Sequence, residues 1–164
     1  MSFLTAAVLT CAGTVAEAQT ANGRGPVTNL PLPRFVTLKA SEANVRRGPS
    51  LTHRIDWVFT AKGMPLEVVG EYGHWRRVRD NDGVGGWVHY TLLSGARAAL
   101  VQTERAPFHA RPDTGAPLNA ELETGVIITL HRCGADWCQG EAGGIKGWAT
   151  KADLWGVGGE EVFD

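Results

Sequence analysis

The sequence predicts an all-β protein made of two small β-barrels in tandem. Short alternating apolar segments, turn signals between them and an internal repeat of about 60 residues support this fold class. Met64, Leu66 and Val68 alternate with other residues, as the side chains of a half-buried strand do. Asn81-Asp82-Gly83 is a typical tight-turn sequence. No segment after the N-terminal region has the pattern of an amphipathic helix.

The internal repeat is visible in two stretches that align without a gap. Gly63–Trp75, "GMPLEVVGEYGHW", matches Gly125–Trp137, "GVIITLHRCGADW". Both stretches continue to a glycine-tryptophan pair, Gly86-Trp87 and Gly147-Trp148. Two copies are too few for a solenoid or a propeller, so each copy must close its own core. About five or six short strands per copy suggest a barrel, which leaves few exposed sheet edges.

The repeat also predicts the domain organisation. The first barrel is expected at residues 35–95, a more divergent second barrel at residues 96–157, and a short tail at residues 158–164. Residues 19–34 contain three prolines, two glycines and no periodicity, and this composition predicts a flexible leader.

Residues 1–18 have the features of a secretory signal peptide. Phe3–Val15 is a short apolar run, and Ala16-Glu17-Ala18 offers the small residues that precede a cleavage site. The run is too short to cross a bilayer. An N-terminal core strand or helix is the alternative interpretation of the same residues. We therefore expect a periplasmic or secreted protein with no membrane span after signal cleavage.

Charge and motif content exclude several classes of function. The formal net charge is −1, whereas a nucleic-acid-binding protein usually carries a basic excess. None of the five histidines lies in a Gly-x-Ser-x-Gly or His-Glu-x-x-His pattern. The sequence therefore predicts a protein that is not an enzyme, has no catalytic residue, needs no metal or other cofactor and binds no nucleic acid.

The two cysteines after the predicted cleavage site, Cys133 and Cys138, are expected to form a disulfide. An even cysteine count in an exported chain favours pairing, and the remaining sequence lacks the paired ligand spacing of a zinc site. A redox pair normally has Cys-x-x-Cys spacing at a helix start. The internal alignment places Cys133 on Glu71 and Cys138 on Arg76. We expect the cysteines to link two strands across a turn, and a surface ion pair to do so in the first copy.

The segment Ala43–Ser50, "ANVRRGPS", resembles the opening of bacterial SH3-like domains, which typically reads Asn-Val-Arg-x-Gly-Pro-Ser. Other positions that match the family pattern between Phe35 and Gly95 are Gly63, Leu66, Val68, Trp75, Val78, Gly86, Trp87, Val88 and Leu93. In the second copy "APFHARP" replaces the opening. The resemblance is to exported tandem bacterial SH3 proteins of the proteobacterial type. It implies a β-barrel fold and a non-enzymatic role, and some relatives bind peptidoglycan peptides.

A candidate ligand surface follows from these residues. Arginine pairs with carboxylates such as those of a peptidoglycan stem peptide, and aromatic rings supply flat contact area. We expect Trp87 and Trp148 to fill the two cores. The expected partner is a peptidoglycan peptide or an envelope protein, with a periplasmic scaffold or a cryptic cell-wall hydrolase as alternatives. The candidate binding residues are Asn44, Arg46, Arg47, Tyr72, His74, Trp75 and Tyr90.

Overall fold

A computed structural model describes residues 23–164 and contains two seven-stranded antiparallel sheets. The predicted signal peptide lies outside the described residues. The first sheet, here called the first domain, has the strand order β3-β2-β6-β5-β4-β1-β7. A short 3-10 helix, Tyr90–Leu92, precedes β7. The strands are β1 (Arg34–Leu38), β2 (Ala43–Arg46), β3 (Ile55–Phe59), β4 (Pro65–Tyr72), β5 (Trp75–Arg79), β6 (Gly85–His89) and β7 (Leu93–Ser94).

The second sheet, here called the second domain, repeats this topology strand for strand. Its order is β10-β9-β13-β12-β11-β8-β14, and a 3-10 helix, Lys151–Asp153, precedes its last strand. The all-β tandem architecture is therefore confirmed, with seven strands in each sheet. The strands are β8 (Ala98–Val101), β9 (Arg105–His109), β10 (Leu118–Glu123), β11 (Ile127–Cys133), β12 (Trp137–Ala142), β13 (Ile145–Thr150) and β14 (Leu154–Trp155).

Each domain has its own apolar core, built from aliphatic side chains and phenylalanine. No tryptophan among the described residues belongs to the buried residues of either core. The expectation that Trp87 and Trp148 fill the cores is therefore wrong. Side chains alternate along a strand, and the neighbouring Val88 and Ala149 point inward, so both tryptophans are half-buried on the outer surface. The first core consists of Leu38, Ala43, Val45, Phe59, Leu66, Val68, Val78 and Val88.

The glycine before each of these tryptophans lies on the inward side of its strand and leaves room for a close contact. A Cβ on Gly147 would lie 2.8 Å from the ring of Phe108, the largest fully buried side chain of the second domain. A Cβ on Gly86 would lie 2.7 Å from the carbonyl oxygen of Arg46. The repeated glycine is thus a packing requirement, because any larger residue would push β6 or β13 away from its neighbour.

The segment of residues 23–34 packs on the first domain, which differs from the flexible leader that its composition predicts. The backbone N–H groups of Val27 and Thr28 donate hydrogen bonds to the Glu71 carboxylate at 3.0 and 2.9 Å, and the Thr28 hydroxyl donates another at 2.6 Å. A buried carboxylate requires donors, and this segment supplies them. Its order thus depends on a residue of β4 far away in the sequence.

The C-terminal residues pack in an equivalent place on the second domain. Phe163 and Cys133 exchange two backbone hydrogen bonds, with N–O distances of 2.8 and 3.1 Å. Cys133 is the position that aligns with Glu71. The segment before the first domain and the segment after the second therefore cover the same position of the two sheets, one by donating to a carboxylate and the other by adding a short strand contact.

The two domains are joined by Arg97, which lies just before β8. Its guanidinium donates hydrogen bonds to the carbonyl oxygen of Phe35 at 2.8 Å in the first domain and to that of Gly156 at 3.0 Å in the second. It also pairs with the carboxylate of Glu161 at 2.8 Å. The rings of Phe35 and Trp155 meet edge to face beside it, with centroids 5.2 Å apart. Arg97 thus connects β1 of the first domain with the C-terminal segment of the second domain.

Candidate functional site

The predicted disulfide between Cys133 and Cys138 is present. The two cysteines are cross-strand partners in the β11–β12 hairpin, and both are buried. Glu71 and Arg76 are partners in the same way across β4 and β5. The pairing predicted from the internal alignment is therefore correct in both domains.

The exposure predicted for the Glu71–Arg76 pair is wrong, because only 7% of Glu71 and 8% of Arg76 is exposed. The Arg76 Nε lies 3.6 Å from the carboxylate and the Arg34 Nη2 lies 2.8 Å from it. Burial alone would raise the pKa of Glu71, but the hydrogen bonds from Thr28, Arg34 and Val27 outweigh it and lower that pKa to about 2. Glu71 therefore stays ionised and holds the N-terminal segment in place.

Replacing both Cys133 and Cys138 with serine is expected to destabilise the second domain by about 2 kcal/mol, the chain-entropy value for so short a loop. Urea unfolding under oxidising conditions measures the loss. Adding a reductant should lower the stability of the unmodified protein by a similar amount and leave the double variant unchanged. Equal stability of both proteins without reductant would contradict a stabilising role for the disulfide.

Most of the predicted binding residues share the outer side of β2, β6, β5 and the end of β4. Directly opposed residues of antiparallel strands point to the same side. Trp75 opposes Tyr72 on one side and His89 on the other. Trp87 opposes Arg77 and Arg46 in the same way. We call this surface the aromatic face, and it consists of Asn44, Arg46, Tyr72, Trp75, Arg77, Trp87 and His89.

The rim of the aromatic face brings together four rings at the β4–β5 turn and the end of β6. His74 and Tyr90 stack with their centroids 5.7 Å apart, and His89 lies 5.1 Å from Tyr90. Trp75 meets His89 edge to face at 5.4 Å. Three of these four residues, His74, Trp75 and Tyr90, belong to the predicted set. His89 was missed, although its position two residues after Trp87 places it on the same side of β6.

The two predicted arginines of the β2–β3 loop have different roles. Arg46 donates from Nη1 to the carbonyl oxygens of Leu51 and His53 at 3.0 and 2.7 Å, and so it holds the loop against β2. Arg47 forms an ion pair with Asp56 at 3.0 Å. The hydrogen bond from Arg47 is the main reason why the pKa of Asp56 is lowered. Arg46 is therefore part of the aromatic face, whereas Arg47 pairs with a carboxylate of β3.

The same side of the second domain is occupied by its own side chains. His109 takes the place of Arg46, is buried, and has its Nδ1 3.0 Å from the carbonyl oxygen of Ala116. Its ring meets Trp137 edge to face at 5.5 Å. The guanidinium of Arg132 lies over the ring of Trp148, 4.9 Å from its centroid. Trp137 and Trp148 oppose Thr150 and Gln139 on the neighbouring strands, where Trp75 and Trp87 of the first domain oppose His89 and Arg77.

Within residues 23–164, no group of three or more His, Cys, Asp or Glu side chains is arranged to hold a metal ion. Over the same range, no helix has both the length and the apolar character needed to cross a membrane.

The family model for the bacterial SH3 domain matches the chain twice, at residues 39–95 and residues 102–156. Each match covers one of the two sheets except for its first strand, β1 or β8. Bacterial SH3 domains are generally cell-wall binding modules.

Comparison with solved structures finds similar chains among proteins of the NlpC type. NlpC2 and NlpC1 from Trichomonas vaginalis are each 12% identical, with TM-scores of 0.35 and 0.34. An NlpC/P60 family protein from Bacillus cereus is 13% identical, with a TM-score of 0.34. These matches cover 75%, 74% and 74% of this chain but only 48%, 45% and 55% of those chains. No curated protein matches the sequence.

Proposed function

The chain belongs to the bacterial SH3 domain family, and we propose that it is an exported, non-enzymatic binding protein that recognises the peptide part of peptidoglycan. The aromatic face of the first domain carries this proposal. It combines the rings of Trp75 and Tyr72 with the guanidinium of Arg77, and these side chains oppose one another across the sheet or lie on the same side of β5. Rings provide flat contact area, and a guanidinium pairs with the carboxylates of a stem peptide.

The comparison between the twin domains favours the first domain as the binding domain. Trp75 and Trp137 occupy equivalent positions on β5 and β12. In the second domain the buried His109 packs against Trp137. In the first domain the equivalent of His109 is Arg46 of β2, which donates to carbonyl oxygens of the β2–β3 loop. Trp75 instead lies between the exposed Tyr72 and the half-buried His89.

The disulfide supports a location outside the cytoplasm. Disulfides form and persist in the periplasm and in secreted proteins, whereas they are rare in the cytosol. The Cys133–Cys138 bond is therefore consistent with export, and the apolar N-terminal run is consistent with a signal peptide. We propose a periplasmic or secreted location on these grounds.

Retention on purified peptidoglycan is expected to fall about tenfold or more when Trp75 is replaced with alanine, since truncation of a central aromatic contact typically costs at least 1–2 kcal/mol of binding. The measurement is cosedimentation of the protein with purified sacculi. The matched control is Trp137→Ala, which removes the equivalent ring of the second domain and should retain binding.

Two further cosedimentation experiments test the chemistry of the interaction. Sacculi treated with protease distinguish a peptidoglycan ligand from an attached envelope protein, because only the latter is removed. Sacculi with amidated carboxylates should bind less well if Arg77 pairs with a carboxylate. No retention of the unmodified protein, or equal loss in the Trp75 and Trp137 variants, would refute the proposed face.

A further inference from the structure

Strand β3 is an open edge of the first sheet and carries exposed apolar side chains. Among the described residues, no strand pairs with its outer side. Ile55 is 45% exposed, Trp57 is 52% exposed and Val58 is 39% exposed. Together with Asp56 they line a shallow depression. Proteins normally protect such edges with charged residues, because an open apolar strand readily pairs with another chain.

The twin strand β10 is also a sheet edge but has the usual protection. Counted from the first residues of the two strands, Ile55 and Leu118, Val58 of β3 corresponds to Glu121 of β10. Thr60, just after β3, corresponds to Glu123. Both glutamates are exposed. One edge of the molecule is therefore apolar, and its counterpart is acidic.

The charges beside the two edges are opposite. Next to β3, Arg47 and Arg54 share the single carboxylate of Asp56, which leaves an excess positive charge. On β10, the ion pair found for Glu121 and Glu123 within residues 23–164 is that of Glu121 with Arg105 of the neighbouring strand, at 3.5 Å. An excess negative charge remains there. The edge of β10 thus offers the charge that the edge of β3 lacks.

We propose that β3 of one molecule pairs in antiparallel fashion with β10 of a second copy of this chain. The register that sets Trp57 against the exposed Leu118 also sets Arg54 against Glu121. In this register Asp56 faces the uncharged Asn119, so no like charges are opposed. Pairing β10 with itself in a register centred on Glu121 or Leu122 would instead set glutamates opposite one another, and like charges directly opposite one another destabilise a sheet.

This contact is heterologous, because two different edges meet. Each molecule has one edge of each kind and can join two neighbours, so association continues head to tail unless a ring closes. The contact uses the outer edge of β3, whose Ile55 and Val58 lie opposite Arg46 and Asn44 of the aromatic face, and it is therefore tested without peptidoglycan.

The test measures molar mass against protein concentration by sedimentation equilibrium. The unmodified protein is expected to form dimers and larger species as its concentration rises. The variant Trp57→Ala/Val58→Glu puts the residues of β10 into β3, and Glu121→Lys/Glu123→Lys reverses the charge of β10. Each variant alone should be monomeric. A mixture should form a one-to-one dimer, because each variant retains the edge that the other has lost.

A monomeric unmodified protein at every concentration overturns the proposal, and so does self-association of the Glu121→Lys/Glu123→Lys variant alone. Near-ultraviolet circular dichroism checks that both variants are folded. If Trp57→Ala/Val58→Glu does not fold, Arg54→Glu replaces it in the experiment, because this substitution changes a single exposed side chain. It should weaken association at least several-fold, and mixing it with a Glu121→Arg variant should restore the contact. No restoration in that mixture overturns the proposed register.

Discussion

Replacing Glu71 with glutamine is expected to destabilise the first domain by about 3 kcal/mol at neutral pH. The pKa of Glu71 is lowered from 4.5 to about 2, and each unit corresponds to about 1.4 kcal/mol. Glutamine keeps the shape of the side chain but removes the charge that Arg34 and Arg76 contact. Chemical unfolding followed by tryptophan fluorescence measures the loss.

The pH dependence of stability should change in the same variant. Because the folded pKa of Glu71 lies below the unfolded value, its stabilisation is complete above about pH 4.5 and disappears as the pH falls towards 2. The unmodified protein should therefore lose stability through that window more steeply than Glu71→Gln. Glu67→Gln is the matched control, since Glu67 lies on the same strand but pairs with the exposed Arg79. Glu67→Gln should lower the free energy of unfolding by no more than about 1 kcal/mol. If the pH dependence of stability is the same in Glu71→Gln as in the unmodified protein, the Glu71 carboxylate does not stabilise the first domain.

Replacing Arg97 with methionine is expected to uncouple the two domains and cost about 3 kcal/mol. The change leaves the carbonyl oxygens of Phe35 and Gly156 without their donor and Glu161 without its cation. Burial lowers the pKa of Arg97, and the charge of Glu161 opposes that shift, so the guanidinium depends on its partners. Calorimetry is expected to show two separated unfolding transitions for this variant and one transition for the unmodified protein.

The control for this prediction is Arg132→Met. Like the guanidinium of Arg97, that of Arg132 lies over an aromatic ring, but Arg132 is exposed. The midpoint temperature of unfolding should change little in Arg132→Met. Lysine at position 97 should restore little of the stability, because its single ammonium cannot reach acceptors in three directions as the guanidinium fork does. One transition with an unchanged midpoint in Arg97→Met would show that the domains are coupled by other contacts.

The parts of the fold that depend on neighbouring residues could be predicted from the sequence. Strand alternation and glycine turns are local signals, and two gapless copies reveal a tandem arrangement. The disulfide was predictable for the same reason, since Cys133 and Cys138 flank one turn and align with a charged pair of the twin.

The parts that depend on distant contacts could not be predicted. Thr28 and Glu71 are separated by 43 residues, and no local pattern connects a polar N-terminal segment with one carboxylate. The sequence also predicts that Trp87 faces the core, whereas Val88 does. Both residues are apolar and adjacent on β6, so hydrophobicity alone does not indicate which of them points inward. The aromatic face was predicted in part, since it follows from motif residues that lie on adjacent strands.

Glu71 is covered by the segment before the first domain and Cys133 by the segment after the second, and this has an evolutionary consequence. Duplicating the seven strands of one domain would not by itself yield a second complete domain. The segment that covers position 71 or 133 lies outside those strands. After such a duplication each half would need its own cover, and the two halves solved this differently. The first gathers main-chain amides around a carboxylate, and the second adds a strand contact at Phe163 beside a covalent cross-link.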